Sequence, residues 1–237
     1  MIRIRNLNAG YGRLHILFDV NMDVKDREIT VIVGPNGSGK STLLKSIFGL
    51  TKIYSGSIDF DGVELTGLMS HEIAKRGVAY LPQVDNVFAN LTVRENMMMA
   101  GYTIRDKSEI ESRVKEVSEM FPIIRKYWER KAGTLSGGER QMVAMAMALI
   151  RRPRVMMFDE PTGNLAPKIA KEVLGKIVEL RDSLGMTILL VEQNARRALE
   201  IGDRSYLLVS GRLMFEGEPQ ELLSHPELAK LYLGIGT

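Results

Sequence analysis

The chain has 237 residues, 45% of them hydrophobic, enough to bury the core of one large domain or of a domain carrying a subdomain. It contains no cysteine, which excludes disulfides and thiolate metal sites, and its formal net charge of +3 gives no argument for nucleic acid. We find no apolar run of about 18 residues and no signal-peptide core, so we expect a soluble chain that meets a membrane only through partners.

The N-terminal segments alternate between apolar and polar residues. Residues 2–7 and 16–24 show this alternation, which predicts antiparallel strands. Tyr11 lies in the Gly-Tyr-Gly turn between them. It either caps the sheet or stacks on a flat base, and on these residues alone capping is favoured.

A glycine-rich stretch, GPNGSGKST, follows an apolar run at 29–33 and precedes an apolar helix. This is the strand–loop–helix setting in which backbone N–H groups and the helix N-terminus surround a phosphate. Lys40 adds a mobile positive charge for the outer phosphates, and the Ser41 hydroxyl is a hard ligand for Mg²⁺. The predicted nucleotide triphosphate site comprises Gly34, Pro35, Asn36, Gly37, Ser38, Gly39, Lys40, Ser41 and Thr42.

The middle of the chain changes from strands to helices. Residues 56–60 form a predicted strand before an Asp-Gly hairpin, 70–76 a short helix, and 77–81 a buried strand that Pro82 ends. Between 84 and 150 the pattern is helical. Capping boxes open helices at Thr92 and Ser136, a looser one opens a helix at Asp106, and Phe121-Pro122 ends the Asp106 helix before an irregular polar stretch at 127–133.

The remaining segments return to strands that alternate with helices. Residues 155–158 and 186–191 are buried strand types, and a helix at 170–184 closes at Gly185. A helix near 195–201, a hairpin through Ser210-Gly211 and short helices near 219–224 and 226–233 follow. We expect an α/β fold in one domain: residues 1–83 and 152–237 form a mainly parallel core with an antiparallel β subdomain, and 84–151 an inserted helical subdomain.

Polar residues follow the predicted strands where ligands collect in open α/β sheets. Asp159 is placed to hold Mg²⁺ beside Ser41, and Glu160 to accept a proton from a water that attacks the γ-phosphate. An isolated Asp-Glu pair would be a solvated loop, but the phosphate loop upstream favours the site. Gln83 reaches the metal or the attacking water, or is only a turn residue; spacing does not decide between these.

Ser136, Gly137 and Gly138 form a second helix start suited to an anion. A plain N-cap explains the serine equally well, but capping does not need both glycines, so we favour an anion site.

Together these stretches resemble the ATP-binding subunit of ABC transporters, over nearly the whole chain. GPNGSGKST is similar to the Walker A motif, and Gln83 to the Q-loop glutamine. LSGGERQ at 135–141 is similar to the signature, and VMMFDE at 155–160 to Walker B with its catalytic glutamate. The signature, which lies between the two Walker motifs in the sequence, separates this family from kinases and small GTPases, which share only the phosphate loop.

The resemblance implies a P-loop NTPase fold and a head-to-tail dimer that hydrolyses ATP, with a second ATPase subunit (a paralogue or a second copy) as partner. Ser136, Gly137 and Gly138 would then serve the nucleotide of the partner, and Tyr11 would stack on adenine. The metal ligands implied for Mg²⁺ are Ser41, Gln83 and Asp159. It also implies transmembrane permease subunits docked near Val87, Phe88 and Leu91, an extracytoplasmic solute-binding protein, and a position on the cytoplasmic face of the membrane.

Two residues depart from the family pattern. Gln193 stands where the family usually has a histidine, and Ala166 where its D-loop usually ends in aspartate. These departures, with the closing Tyr232-Leu233-Gly234, are similar to the branched-chain amino-acid importer subgroup, which pairs two different ATPase subunits. The alternatives are an ATPase for urea or another small solute, a soluble ABC-type ATPase of translation or DNA repair, and a nucleotide switch with little turnover.

Overall fold

The computed structural model describes residues 1–225 and 227–228. In this part of the chain the strands are β1 (Ile2–Tyr11), β2 (Leu14–Val24), β3 (Ile29–Val33), β4 (Lys52–Phe60), β5 (Val63–Glu64), β6 (Val78–Leu81), β7 (Val155–Asp159), β8 (Thr187–Val191), β9 (Arg204–Val209) and β10 (Arg212–Gly217). The helices are α1 (Lys40–Ile47), α2 (Ser70–Lys75), α3 (Val93–Ala100), α4 (Lys107–Met120), α5 (Pro122–Lys126), α6 (Gly137–Leu149), α7 (Pro167–Leu184), α8 (Ala195–Leu199) and α9 (Pro219–Ser224).

The first sheet is antiparallel, in the order β2-β1-β4-β5. Its register pairs Ile2 with Val24 and Ile4 with Met22, so the apolar residues of the alternating pattern share one buried face. The two-residue Asp61-Gly62 hairpin joins β4 to β5. The predicted antiparallel strands are confirmed, and both extend beyond the alternating segments.

The second sheet has the order β10-β9-β3-β8-β7-β6 and is parallel from β9 to β6. Every residue of β3, β7 and β8 is buried. One apolar cluster on this sheet includes the helices α3–α7, and the other joins it to α1 and the first sheet. The covering of both faces explains why these strands are continuously apolar rather than alternating. The predicted α/β fold class is therefore confirmed.

Helix boundaries differ from the sequence prediction in two places. We expected Phe121-Pro122 to end a helix and an irregular stretch at 127–133, but Pro122 begins a further helix, α5, and Ala132–Thr134 forms a 3₁₀ turn. Proline is favourable at the first helical position because it lacks the N–H that would go unpaired there. The same effect starts α7 at Pro167, three residues before the predicted start.

The C-terminal elements α8, β9, β10 and α9 follow the prediction. The predicted helix at 226–233 falls mostly outside the described residues. Within the described ranges, no helix is long and apolar enough to cross a membrane.

Candidate nucleotide site

The phosphate loop connects β3 to α1, as the sequence predicts. Gly34 has a φ of 152°, and a Cβ there would overlap the backbone carbonyl of Leu208 on β9. Gly39 caps α1 with a φ of 103°. Both positions therefore require glycine, and the loop lies directly against the neighbouring strand.

Lys40 lies inside this loop, where its side chain contacts the loop backbone. Its ammonium donates hydrogen bonds to the carbonyls of Gly34 (3.0 Å) and Pro35 (2.9 Å), and the residue is only 4% exposed. Burial lowers the pKa of Lys40, while the nearby carboxylates of Glu160 and Asp159 act in the opposite direction. The positive charge is thus already positioned at the loop.

Ser41 and Asp159 meet at the end of β7. The Ser41 hydroxyl donates to Asp159 Oδ1 at 2.7 Å, and the Tyr80 hydroxyl donates to Asp159 Oδ2 at 2.9 Å. Burial, followed by the charge of Asp159, raises the pKa of Tyr80, so this phenol remains a donor. Tyr80 was not among the predicted site residues. Its place on a strand with apolar neighbours indicated only a core residue.

Gln83 and Glu160 form a second pair at the neighbouring strand ends. The Gln83 Nε2 donates to Glu160 Oε2 at 3.0 Å. Glu160 has a φ of 49°, which is unusual for a residue with a side chain, and its N–H donates to the Val191 carbonyl at 2.9 Å. The backbone turn that follows β7 therefore directs Glu160 toward the segment after β6.

Glu192 is a buried carboxyl that the sequence analysis did not select. It is 2% exposed and accepts a hydrogen bond from the Thr162 N–H at 2.9 Å. Burial raises the pKa of Glu192, and the charge of Glu160 adds to the effect. Its place directly after β8 is a weak signal, because a carboxylate at a strand end is equally typical of a solvated loop, and only its contact with Thr162 distinguishes it.

Gln193 and Tyr11 lie at exposed positions. The Gln193 side chain makes no hydrogen bond to any other described residue. Tyr11 is 41% exposed at the end of β1 and pairs with Leu14 across the hairpin. Further along this hairpin, Ile16 and Leu17 face Gly39 at the start of α1, so β2 packs against the phosphate loop.

Ser136, Gly137 and Gly138 start α6. The Ser136 Oγ accepts from the Glu139 N–H (3.3 Å), and the Glu139 carboxylate accepts from the Ser136 N–H (2.8 Å). Asn86, three residues after Gln83, donates to Gln141 Oε1 at 3.0 Å and joins the glutamine segment to this helix. No hydrogen bond joins residues 136–138 to the phosphate loop within the described part of the chain.

The loop fits a bound phosphate. The Ser38 hydroxyl is buried but has no hydrogen-bond partner among the described residues, and the space beside Gly37 is open. A buried polar group without a partner is costly, and a phosphate oxygen would satisfy it. The Ser41 and Asp159 oxygens, which lie together, are the hard donors that suit Mg²⁺.

A mainly parallel sheet with a phosphate loop between β3 and α1 defines the P-loop NTPase class. Residues 17–163 match the protein family described as "ABC transporter". The chain is 58% identical to the Archaeoglobus fulgidus protein named "Probable branched-chain amino acid transport ATP-binding protein LivF", with 99% of each covered. It is 40% identical to the "High-affinity branched-chain amino acid transport ATP-binding protein BraG" of Pseudomonas aeruginosa, covering 99% of this chain and all of that one.

Solved structures show the same fold. A nucleotide-free ATP-binding cassette from an ABC transporter matches with a TM-score of 0.88 at 27% identity and covers 100% of this chain and 99% of its own. A dimeric cassette bound to ADP and Pi matches with a TM-score of 0.79 at 28% identity, covering 92% and 99%. The chain belongs to the ABC transporter family, and it is an ATPase that binds adenine nucleotides. The resemblance inferred from the motifs is confirmed.

Proposed function

We propose that this chain hydrolyses ATP to energise the import of branched-chain amino acids through membrane partners. The names of its two relatives, at 58% and 40% identity over nearly the whole chain, support this substrate class. One observation carries the chemistry: Ser41 bonded to Asp159 and Gln83 bonded to Glu160 lie at neighbouring strand ends beside the phosphate loop.

The proposed roles follow from what each group can do. The N–H groups of residues 34–42 and the Lys40 ammonium bind the phosphates, and Tyr11 stacks on the adenine. Glu160 accepts a proton from water as the water oxygen bonds to the γ-phosphorus and the bond to the bridging oxygen of ADP breaks. Gln83, which already contacts Glu160, orients that water.

Ser41, Asp159 and Gln83 would hold Mg²⁺. The side chains of Ser41 and Asp159 already share a hydrogen bond. The Gln83 side chain is hydrogen-bonded to Glu160, the residue that follows Asp159. When bound, the metal supplies positive charge to the phosphate oxygens.

A second ATPase chain, either a paralogue or a second copy, would complete the site in a head-to-tail dimer. Ser136, Gly137 and Gly138 would contact the nucleotide of that partner. A solved cassette that is dimeric and bound to ADP and Pi supports dimer formation by this fold. Gln193 can donate and accept hydrogen bonds at the switch position but cannot carry a proton, which favours a partner that supplies the missing group.

The membrane partner would be a permease that contacts the helical insertion at 84–151 from the cytoplasmic face and receives solute from an extracytoplasmic binding protein. Of the residues expected to face the permease, Phe88 is 51% exposed, whereas Val87 and Leu91 are only partly exposed. Val84, which is 66% exposed and directly follows Gln83, adds apolar contact area that the sequence analysis did not select. Asn96, which is fully buried, bonds both the N–H and the carbonyl of Phe88 and holds this segment in place.

The test of the chemistry is Glu160→Gln. The amide keeps an oxygen that accepts from Gln83, so ATP binding should persist, but it cannot take up a proton. We expect turnover to fall by about 100-fold or more and ATP to trap a closed dimer. Turnover is measured by phosphate release and dimer formation by size-exclusion chromatography with ATP. Unchanged hydrolysis would remove Glu160 from this role.

The test of the substrate is uptake of radiolabelled leucine, isoleucine and valine by cells in which the chromosomal copy is deleted. We expect the wild-type chain to restore uptake and Lys40→Ala to fail at equal expression. Restored uptake of urea alone would contradict the amino-acid assignment but leave the ATPase function intact.

A further inference from the structure

The two signature glycines are covered by side chains of their own chain. A Cβ on Gly137 would lie 2.7 Å from Leu165 Cδ2, and a Cβ on Gly138 would overlap Ile169 Cγ2. Gly138 is buried, whereas Gly137 is partly exposed. The helix therefore approaches the 165–169 segment more closely than any residue with a side chain would allow.

Capping does not explain the pair. Ser136 and Glu139 already satisfy each other's backbone N–H groups at the start of α6. Glycine at the first helical positions only weakens the helix, so another interaction must favour it. The contacts with Leu165 and Ile169 are such an interaction.

Leu165 and Ile169 are linked to the hydrolytic end of β7 by a short, bonded segment. The Gly163 N–H donates to the Glu160 carbonyl at 3.0 Å, and the Leu165 N–H donates to the Thr162 carbonyl at 3.1 Å. The Thr162 N–H is in turn held by the buried Glu192. Consecutive turns therefore connect Glu160 to the start of α7. Ile169 lies in the first turn of α7, where its side chain faces Gly138 of α6.

We propose that Ile169, with Leu165 beside it, positions the signature turn within its own chain. This rests on the proposed function, in which that turn serves the nucleotide of a partner chain. The packing of the Ile169 side chain directly against Gly138 sets the distance between α6 and α7. The segment after Glu160 and the signature turn of one chain are thus packed together through Leu165 and Ile169.

The experiment compares Gly138→Ala alone with Gly138→Ala combined with Ile169→Leu, Ile169→Ala or Ile169→Val. Ile169→Leu removes the γ2 methyl that a Cβ on residue 138 would meet, and Ile169→Ala removes all the γ carbons. Ile169→Val keeps that methyl and serves as the matched control. Gly175→Ala, on α7 with open space around it, controls for the glycine-to-alanine change itself.

We expect Gly138→Ala to lower the unfolding temperature of the nucleotide-free chain by about 3–10 °C. Turnover should fall by about 100-fold, because a small displacement of the turn misplaces the groups it carries. Ile169→Leu or Ile169→Ala in the same chain should restore most of both quantities, and Ile169→Val should not. Gly175→Ala should leave turnover unchanged.

Hydrogen exchange of the amides of residues 136–141 separates positioning from general stability. We expect Gly138→Ala to increase exchange there and Ile169→Leu to reverse the increase. If Gly138→Ala keeps its unfolding temperature, or if Ile169→Leu and Ile169→Val rescue equally, the proposal is wrong. A wild-type chain that neither binds nor hydrolyses ATP would instead overturn the proposed function. The unfolding temperatures and the amide exchange of the variants would still test whether Ile169 positions the signature turn.

Discussion

Asp159 and Glu160 are neighbours in the chain but have different surroundings. Asp159 is 3% exposed and accepts from both Ser41 and Tyr80, so its oxygens are fixed. Glu160 has a left-handed backbone and a single side-chain partner, Gln83. The fixed carboxylate suits the proposed metal ligand, and the less constrained one suits the proposed base.

Glu192 makes stability depend on pH. Its folded pKa is raised above the ordinary value of 4.5 by burial, so its contribution is fully present below that pH and is lost as pH rises through the folded pKa. Glu192→Gln removes this loss. We expect the variant to gain stability over the wild type as the pH rises from 5 to 8, measured as the free energy of unfolding in urea. An equal difference at both pH values would contradict this.

The amide side chain of Gln193 determines what we expect for the pH dependence of ATP turnover. An amide does not titrate, so we expect no step in ATP turnover near pH 6.5 that this residue controls. Gln193→His should introduce such a step because imidazole changes charge in that range. A step in the wild type that disappears in Gln193→Ala would be the contrary result.

Helix α7 shows how an element's ends and surface are specified separately. Pro167 begins it, Gly185 ends it in a left-handed conformation with a φ of 62°, and one face packs its apolar residues against the core. Gly175 lies on the exposed face with nothing near the position of a Cβ.

Gly175→Ala should therefore stabilise the chain by about 0.5–1 kcal/mol, because alanine loses less backbone entropy in a helix. For a chain of this size the unfolding temperature rises by about 2–4 °C per kcal/mol. The control is Gly185→Ala, where the left-handed conformation should make alanine destabilising by about 1 kcal/mol. Scanning calorimetry that gave both changes the same sign would refute the argument.

At the scale of the whole molecule, the phosphate loop, β9 and the first sheet are tied together. The Gly211 N–H donates to the Ser38 carbonyl, and the Gly211 carbonyl accepts from the Phe18 N–H, both at 2.9 Å. The phosphate loop is thereby fixed to both sheets. Residues 136–138 make no hydrogen bond to that loop in the described structure, which is the arrangement a site shared between two chains requires.

A shared site makes a complementation test possible. Lys40→Met and Ser136→Ala should each be inactive alone, because every dimer then lacks one half of both sites. In a mixed dimer one site is intact, so an equal mixture should recover about a quarter of the wild-type rate with random pairing of two copies. Turnover per chain should also rise with concentration. An active wild type whose mixed variants stay inactive would rule out the head-to-tail pairing; an inactive but ATP-binding wild type would require a different partner subunit.

Local patterns in the sequence were sufficient for most of the fold and for part of the site. The period of two in β1 and β2, the continuous apolar runs of β7 and β8, and the capping box at Thr92 each depend on neighbouring residues, and the structure agrees with them. The strand-end rule also selected Asp159, which the structure brings to Ser41. The roles of these residues remain predictions.

Contacts between distant segments required the tertiary structure. Tyr80 and Glu192 have no local feature that separates them from core or loop residues, and their importance arises from Asp159 and Thr162 on other elements. The signature glycines show the same limit. The sequence determined that two glycines follow Ser136, but only the packing of α6 against α7 showed that Leu165 and Ile169 occupy the space a side chain would need, because that distance is set by residues far apart in the chain.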